Sequence, residues 1–124
     1  MIVHIDTSAL VDALTGPRRS LPALIRLVEQ GHRVTLSTLV LYEWRRGPRS
    51  ADDLAAQEEL FPSEAAVVFD HDVAVLAARL LQAVPRARGR ELDLAIAACA
   101  LHAGAALWTL NPRDFVDIPG LRLV

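Results

Sequence analysis

Five short runs rich in β-branched and aliphatic residues, IVHI, VTLS, AAVVF, ALWTL and LRLV, are separated by segments whose apolar residues recur with helical period. Few folds are open to such a chain, because strands that alternate with helices join as parallel neighbours and bury both sheet faces beneath the helices. The pattern predicts an α/β fold with a mainly parallel central sheet, and helices over residues 8–14, 21–30, 38–46, 51–60, 71–84 and 91–103. Gly16-Pro17, Gly31, Gly47-Pro48, Pro62, Pro85 and Gly104 punctuate it, and Ser50 with Asp53 reads as a capping box. With no repeat, no long linker and 52% hydrophobic residues, residues 1–124 are expected to form one domain.

No apolar stretch reaches the roughly 18 residues of a membrane helix, and MIVHID has neither a basic segment nor a cleavage site. A soluble, cytoplasmic protein with no membrane partner is expected. The single cysteine, Cys99, sits within AIAACA and reads as a buried, inert thiol. The net charge of −2 discourages a nucleic-acid reading, but the basic residues are unevenly placed and all 13 are arginine. They gather as Arg18-Arg19, as Arg45-Arg46 with Arg49, and as Arg86 with Arg88 and Arg90. Guanidinium forks grip phosphates bidentately, so at least one cluster is expected to contact phosphate, although surface arginines are also ordinary.

The acids are less ordinary. Asp6 stands where the IVHI strand gives way to the helix beginning TSAL, either capping that helix or belonging to a site at the strand's carboxyl end. Glu43 follows a nearly continuous apolar run, at the edge of the core or paired with Arg46. Asp93 lies in the first turn of ELDLAIAACALHAG, a helix apolar on nearly every side, where a lone carboxylate costs several kcal/mol unless paired or metal-bound. The helix dipole favours it there by only roughly 0.3–1 kcal/mol, while Glu91, two residues earlier, points to another face. Asn111 and Asp114 follow the ALWTL strand, and Asp114 has the alternatives of capping or pairing with Arg113. Taken together, Asp6 and Asn111/Asp114 leave strands at one sheet edge and Asp93 begins a helix that can pack there. Oxygen ligands without a Cys/His cluster suit a hard divalent cation, Mg²⁺ or Mn²⁺. His4, His32, His71 and His102 form no metal-binding spacing.

Three segments, DTSAL, LSTLVLYEWRRG and ELDLAIAACALHAGAALWTLNPRDF, in that order and spacing, resemble the PIN-domain proteins, most closely the VapC-type ribonuclease toxins of bacterial toxin–antitoxin pairs. The resemblance implies a PIN-like three-layer sandwich and Mg²⁺-dependent, or Mn²⁺-dependent, hydrolysis of RNA phosphodiester bonds by an endoribonuclease. It puts Asp6, Glu43, Asp93 and Asp114 in catalytic positions, with Asp6 and Asp93 as principal metal ligands and Glu43 as a further ligand or a base acting through water. Asn111 stands where some relatives carry aspartate, so either Asn111 or Asp114 completes the set. Thr7, Ser8 and Thr109 are candidates for supporting hydrogen bonds, and Arg45 and Arg46 for RNA contact. Implied partners are an RNA substrate, with tRNA a reasonable target, a VapB-type antitoxin and a second copy of the chain in a homodimer.

Other chemistries fit less well. A phosphatase or dehalogenase using Asp6 as nucleophile commonly has a companion aspartate two positions later, which here is Ser8, and a phospho-receiver domain needs a lysine this chain lacks. A catalytically silent PIN-like module that binds RNA or protein is the non-enzyme alternative, which retention of Asp6, Glu43 and Asp93 argues against.

Overall fold

A computed structural model describes residues 1–124. The elements run β1 (Ile2–Ile5), α1 (Thr7–Leu14), α2 (Leu21–Glu29), β2 (Arg33–Thr35), α3 (Thr38–Arg46), α4 (Ala51–Leu60), α5 (His71–Ala83), α6 (Glu91–His102) and β3 (Ala106–Trp108), with 3-10 turns at Ser63–Ala65 and Pro112–Asp114. All six predicted helices form within a residue or so of their expected ends. Their starts follow from local chemistry. Ser37 accepts from the Val40 N–H at 3.2 Å, Asp70 from the Val73 N–H at 3.0 Å, and Ser50 and Asp53 make the reciprocal capping box.

The three strands are parallel in the order β2-β1-β3, with Val3 opposite both Val34 and Ala106. Adjacent residues of a strand face opposite sides of its sheet, and Val3, His4 and Ile5 are all buried. Both faces are therefore covered, as in a three-layer sandwich. Helix α1 packs on α2 and α3, and α5 packs along α6, which in turn meets β3. One core of 25 buried apolar residues joins these layers, with Trp44 and Cys99 fully enclosed. Full burial of a large aliphatic or aromatic side chain is worth about 1.5–3 kcal/mol, so this core holds the sheet edges in place around the polar residues described below.

Two expected strands shrink to single bridges. AAVVF meets the β2 side only through Ser37 and Val67, because the Ala65 and Ala66 N–H groups are already bonded to the Pro62 and Ser63 carbonyls of the preceding turn. LRLV meets β3 only through Leu107 and Leu123, since the Leu121 N–H turns back to the Ile118 carbonyl.

The chain passes from β1 to β2 on one side and later returns to β3 on the other, so β1 is the point at which the winding reverses. In open parallel sheets, the crevice at the carboxyl ends of such strands is where ligands are held. Asp6 ends β1 there and Thr109 ends β3.

Candidate active site

Asp6 has the backbone of an N-cap, extended at φ −79° and ψ 158°, yet its side chain makes no capping bond. Instead Oδ2 accepts the Thr109 hydroxyl at 2.8 Å and the Ser8 hydroxyl at 3.1 Å, while Oδ1 takes no hydrogen bond from the protein. Both hydroxyl protons are thereby committed, so the 3.3 Å approach of Ser8 Oγ to Thr109 Oγ1 is a contact between two donors to one carboxylate. The hydroxyl oxygens accept in turn, Ser8 from the Leu110 N–H and Thr109 from the Asn111 N–H, each at 3.0 Å. The Asp6 N–H donates to the Trp108 carbonyl at 2.8 Å. A closed set of bonds thus holds the end of β1 against the end of β3 and fixes a carboxylate that is only 5% exposed.

The next residue secures a second acid. Thr7, at the start of α1, donates its hydroxyl to Glu43 Oε1 at 2.7 Å, and Arg46 stands 3.6 Å from Glu43 Oε2. The ion pair with Arg46 anticipated from the sequence is present, but it is joined by a shorter bond from the strand-end segment that carries Asp6.

Asp93 is partly buried in the first turn of α6 and receives no protein hydrogen bond. Burial pushes its carboxyl from 3.8 up to about 6, reinforced by the negative charges of Asp6, Asp114 and Glu43 in that order and opposed by Arg90. The four acids singled out in the sequence are thus brought into one electrostatic neighbourhood. Glu91, exposed, turns back to the Gly89 N–H at 3.2 Å. Asn111 contributes through its main chain, whereas the charge felt by Asp93 from this loop is that of Asp114.

Among the arginines, the basic cluster of Arg86, Arg88 and Arg90 does not act as one. Arg90 Nη1 and Nη2 fork onto Asp117 at 3.0 and 2.7 Å, and Nη2 also donates to the Asp114 carbonyl at 2.7 Å. Arg90 is occupied, and neither it nor Asp117 was identifiable from the sequence as part of this region. Arg45 and Arg46 also diverge. Arg46 stays beside Glu43 and over the Tyr42 ring at 5.4 Å, while Arg45 reaches to Glu58 at 3.6 Å. Both are exposed. Arg49 lies over the Trp44 ring at 4.4 Å and donates to the Trp44 carbonyl, a packing role.

A pocket of about 180 Å³ is lined by Arg33–Leu36, Leu60–Pro62, Ala65 and Ala66 and shares no residue with the acidic cleft. The cleft has the stronger claim as a site, because it gathers polar groups whose positions packing alone does not require.

The PIN domain family model matches residues 3–121. The chain is a PIN-domain protein of the VapC family. It is 33% identical over 120 residues to Ribonuclease VapC19 of Mycobacterium tuberculosis, covering 95% of each chain. The fold matches that of DNA-bound VapBC from Salmonella typhimurium with a TM-score of 0.80 at 22% identity, over 100% of this chain and 97% of the other. It also matches VapBC2 from Rickettsia felis bound to a promoter DNA fragment, with a TM-score of 0.75 at 21% identity, over 100% and 98%. The three-layer PIN sandwich anticipated from the sequence is the fold observed.

Proposed function

We propose that this PIN domain is a ribonuclease toxin that hydrolyses RNA phosphodiester bonds with the help of Mg²⁺ or Mn²⁺ and is restrained by a VapB-type antitoxin. The observation that carries this reading is the convergence of the Asp6, Asp114 and Glu43 charges on a partly buried Asp93 that no protein donor satisfies. The relationship to Ribonuclease VapC19 supports the chemistry, and the VapBC assemblies of the same fold support the partner.

The acidic donor set is all oxygen and suits a hard cation. No three acidic side chains approach closely enough to share one ion. Mg²⁺ commonly takes one or two protein carboxylates and keeps several waters, which fits Asp6 and Asp93 as the direct ligands. Such an ion polarises phosphoryl oxygens and lowers the pKa of water. The chain's own residues then have separate duties. Ser8 and Thr109 fix Asp6, Thr7 holds Glu43 as a further ligand or a base acting through water, and Asp114 orients water at the open side. Arg46, exposed beside Glu43, meets the RNA backbone, with Arg45 a more distant contact. Exposed apolar residues on α2 (Ile25, Val28) and α5 (Val75, Leu81) provide surface for the antitoxin and a second copy of the chain.

Incubating purified protein with total RNA, with Mg²⁺ or with EDTA, and sequencing the new RNA ends tests the activity and names the target, tRNA being the first candidate. Metal-dependent cleavage lost in Asp6→Asn and Asp93→Asn, and suppressed by the co-expressed antitoxin, is the expected result. Cleavage undiminished in both variants refutes the assignment.

A further inference from the structure

We infer that Arg90 is a positioning residue, clamped on Asp117 and on the Asp114 carbonyl, that sets where the Asp114 turn stands relative to Asp93. The inference rests on the reading of the acidic cleft as a metal-dependent nuclease site and adds to it a residue pair outside the four acids.

Arg90 immediately precedes α6, three residues before Asp93, so its main chain moves with that helix. Its guanidinium leaves the helix and makes four contacts. Two form the fork to Asp117 at 3.0 and 2.7 Å, a third reaches the Asp114 carbonyl at 2.7 Å, and a fourth reaches the Pro85 carbonyl at 3.3 Å. One planar group therefore ties the start of α6 to the α5–α6 connection and to both ends of the Asp114–Asp117 segment. Little else fixes that segment's outer side. Asn111 to Asp114, Val116 and Asp117 are exposed, and between them only Phe115 is buried. The turn's internal bonds, Asp114 N–H to the Asn111 carbonyl at 3.0 Å and Val116 N–H to the Pro112 carbonyl at 2.9 Å, shape it without locating it.

The geometry also explains why the residue must be arginine. A fork that satisfies a carboxylate edge-on while a second N–H of the same plane reaches a carbonyl uses guanidinium geometry, and an ammonium offers only a point charge. Arg90 makes no hydrogen bond to any of the four acids' side chains, so its part is to place Asp114 rather than to meet substrate.

The test uses the full chain and the variants Arg90→Lys, Asp117→Asn and the double variant. In metal-free buffer, amide hydrogen exchange of residues 114–116 should quicken about tenfold in each single variant, with protection of α6 unchanged. Mn²⁺ titration should show weaker binding, by roughly two- to fivefold, and RNA cleavage should lose about 10- to 100-fold in kcat with KM within about twofold. The double variant should be no worse than either single one, because both remove the same clamp. Unchanged exchange in residues 114–116 in both single variants overturns the inference, as does additive loss in the double variant. Asp117 is at the surface, so Asp117→Asn decides the matter even if Arg90→Lys folds poorly. If the wild-type protein cleaves no RNA, the functional reading fails by itself, and the exchange and Mn²⁺ measurements still judge the clamp.

Discussion

Replacing Asp93 by asparagine should make the metal-free protein more stable at neutral pH. In the folded chain the Asp93 carboxyl is raised from 3.8 to about 6, first by burial and then by Asp6, Asp114 and Glu43. The folded state therefore binds this proton more tightly than the unfolded one. The group's favourable contribution is complete below about pH 4 and is lost as pH rises through about 6, above which the ionised form carries the whole penalty. A shift of about two units corresponds to about 3 kcal/mol at about 1.36 kcal/mol per unit, and access of solvent to this half-buried group reduces that to about 1–2 kcal/mol. Asparagine keeps the shape without the charge. Its melting temperature in EDTA at about pH 7.5 should exceed that of the wild type by about 4–8 °C for a chain of this size. Near pH 4, where the wild-type carboxyl is protonated, the difference should vanish. With Mg²⁺ or Mn²⁺ the order should reverse if Asp93 is the ligand proposed above, since the wild type would then gain stability by binding the ion and the variant would not. Equal melting temperatures at pH 7.5 in EDTA, or the same gain at both pH values, would refute the reasoning.

Arg46→Gln should weaken RNA binding and flatten its salt dependence more than Arg45→Gln, because Arg46 stands beside Glu43 whereas Arg45 is turned toward Glu58; filter binding across a salt series compares them. Glu91→Gln should retain most RNA cleavage, its side chain being exposed and bonded to the Gly89 N–H. Ser50→Ala removes half of the α4 capping box and should cost about 1 kcal/mol in urea unfolding. Light scattering at micromolar concentrations should give the mass of a dimer for the isolated protein, and a monomer mass would count against a second copy in the assembly.

The helices were legible because their information is local. Ser37, Ser50 and Asp70 stand at N-cap positions, and Gly31, Pro62 and Gly104 fall beyond helix ends. Helix α6 is the instructive exception, since apolar residues on nearly all sides leave it almost no amphipathic signal; small-residue composition rather than period identified it as buried. AAVVF and LRLV have strand-like composition yet form only single bridges, because strand pairing depends on where neighbouring N–H groups are already committed. At Ala65 and Ala66 those groups belong to a turn, which hydrophobicity cannot show. The same distinction applies to the site. Asp6 was visible as an acid in an odd place, but capping and site membership look alike in sequence, and what separates them is a hydroxyl 103 residues away. Arg90 and Asp117, 27 residues apart, carry no local mark of their pairing, so Arg90 read as one member of a basic cluster.

The acidic cleft is hard to understand as a device for stability alone. Asp93 has one cation within its field, Arg90, and that guanidinium is turned onto Asp117 and the Asp114 carbonyl, leaving its effect on Asp93 the smallest of those acting there. The available donors are likewise spent on single acids: Thr109 and Ser8 on Asp6, Thr7 on Glu43. The chain thus fixes Asp6 and Glu43 with hydroxyl donors and leaves the Asp93 carboxylate without one, at a cost of about 1–2 kcal/mol for Asp93 alone. A cost of that size, kept beside an arginine committed to Asp117 and the Asp114 carbonyl, fits the proposed reading in which a bound cation supplies the charge compensation, because a site neutralised from within would have nothing left with which to bind one.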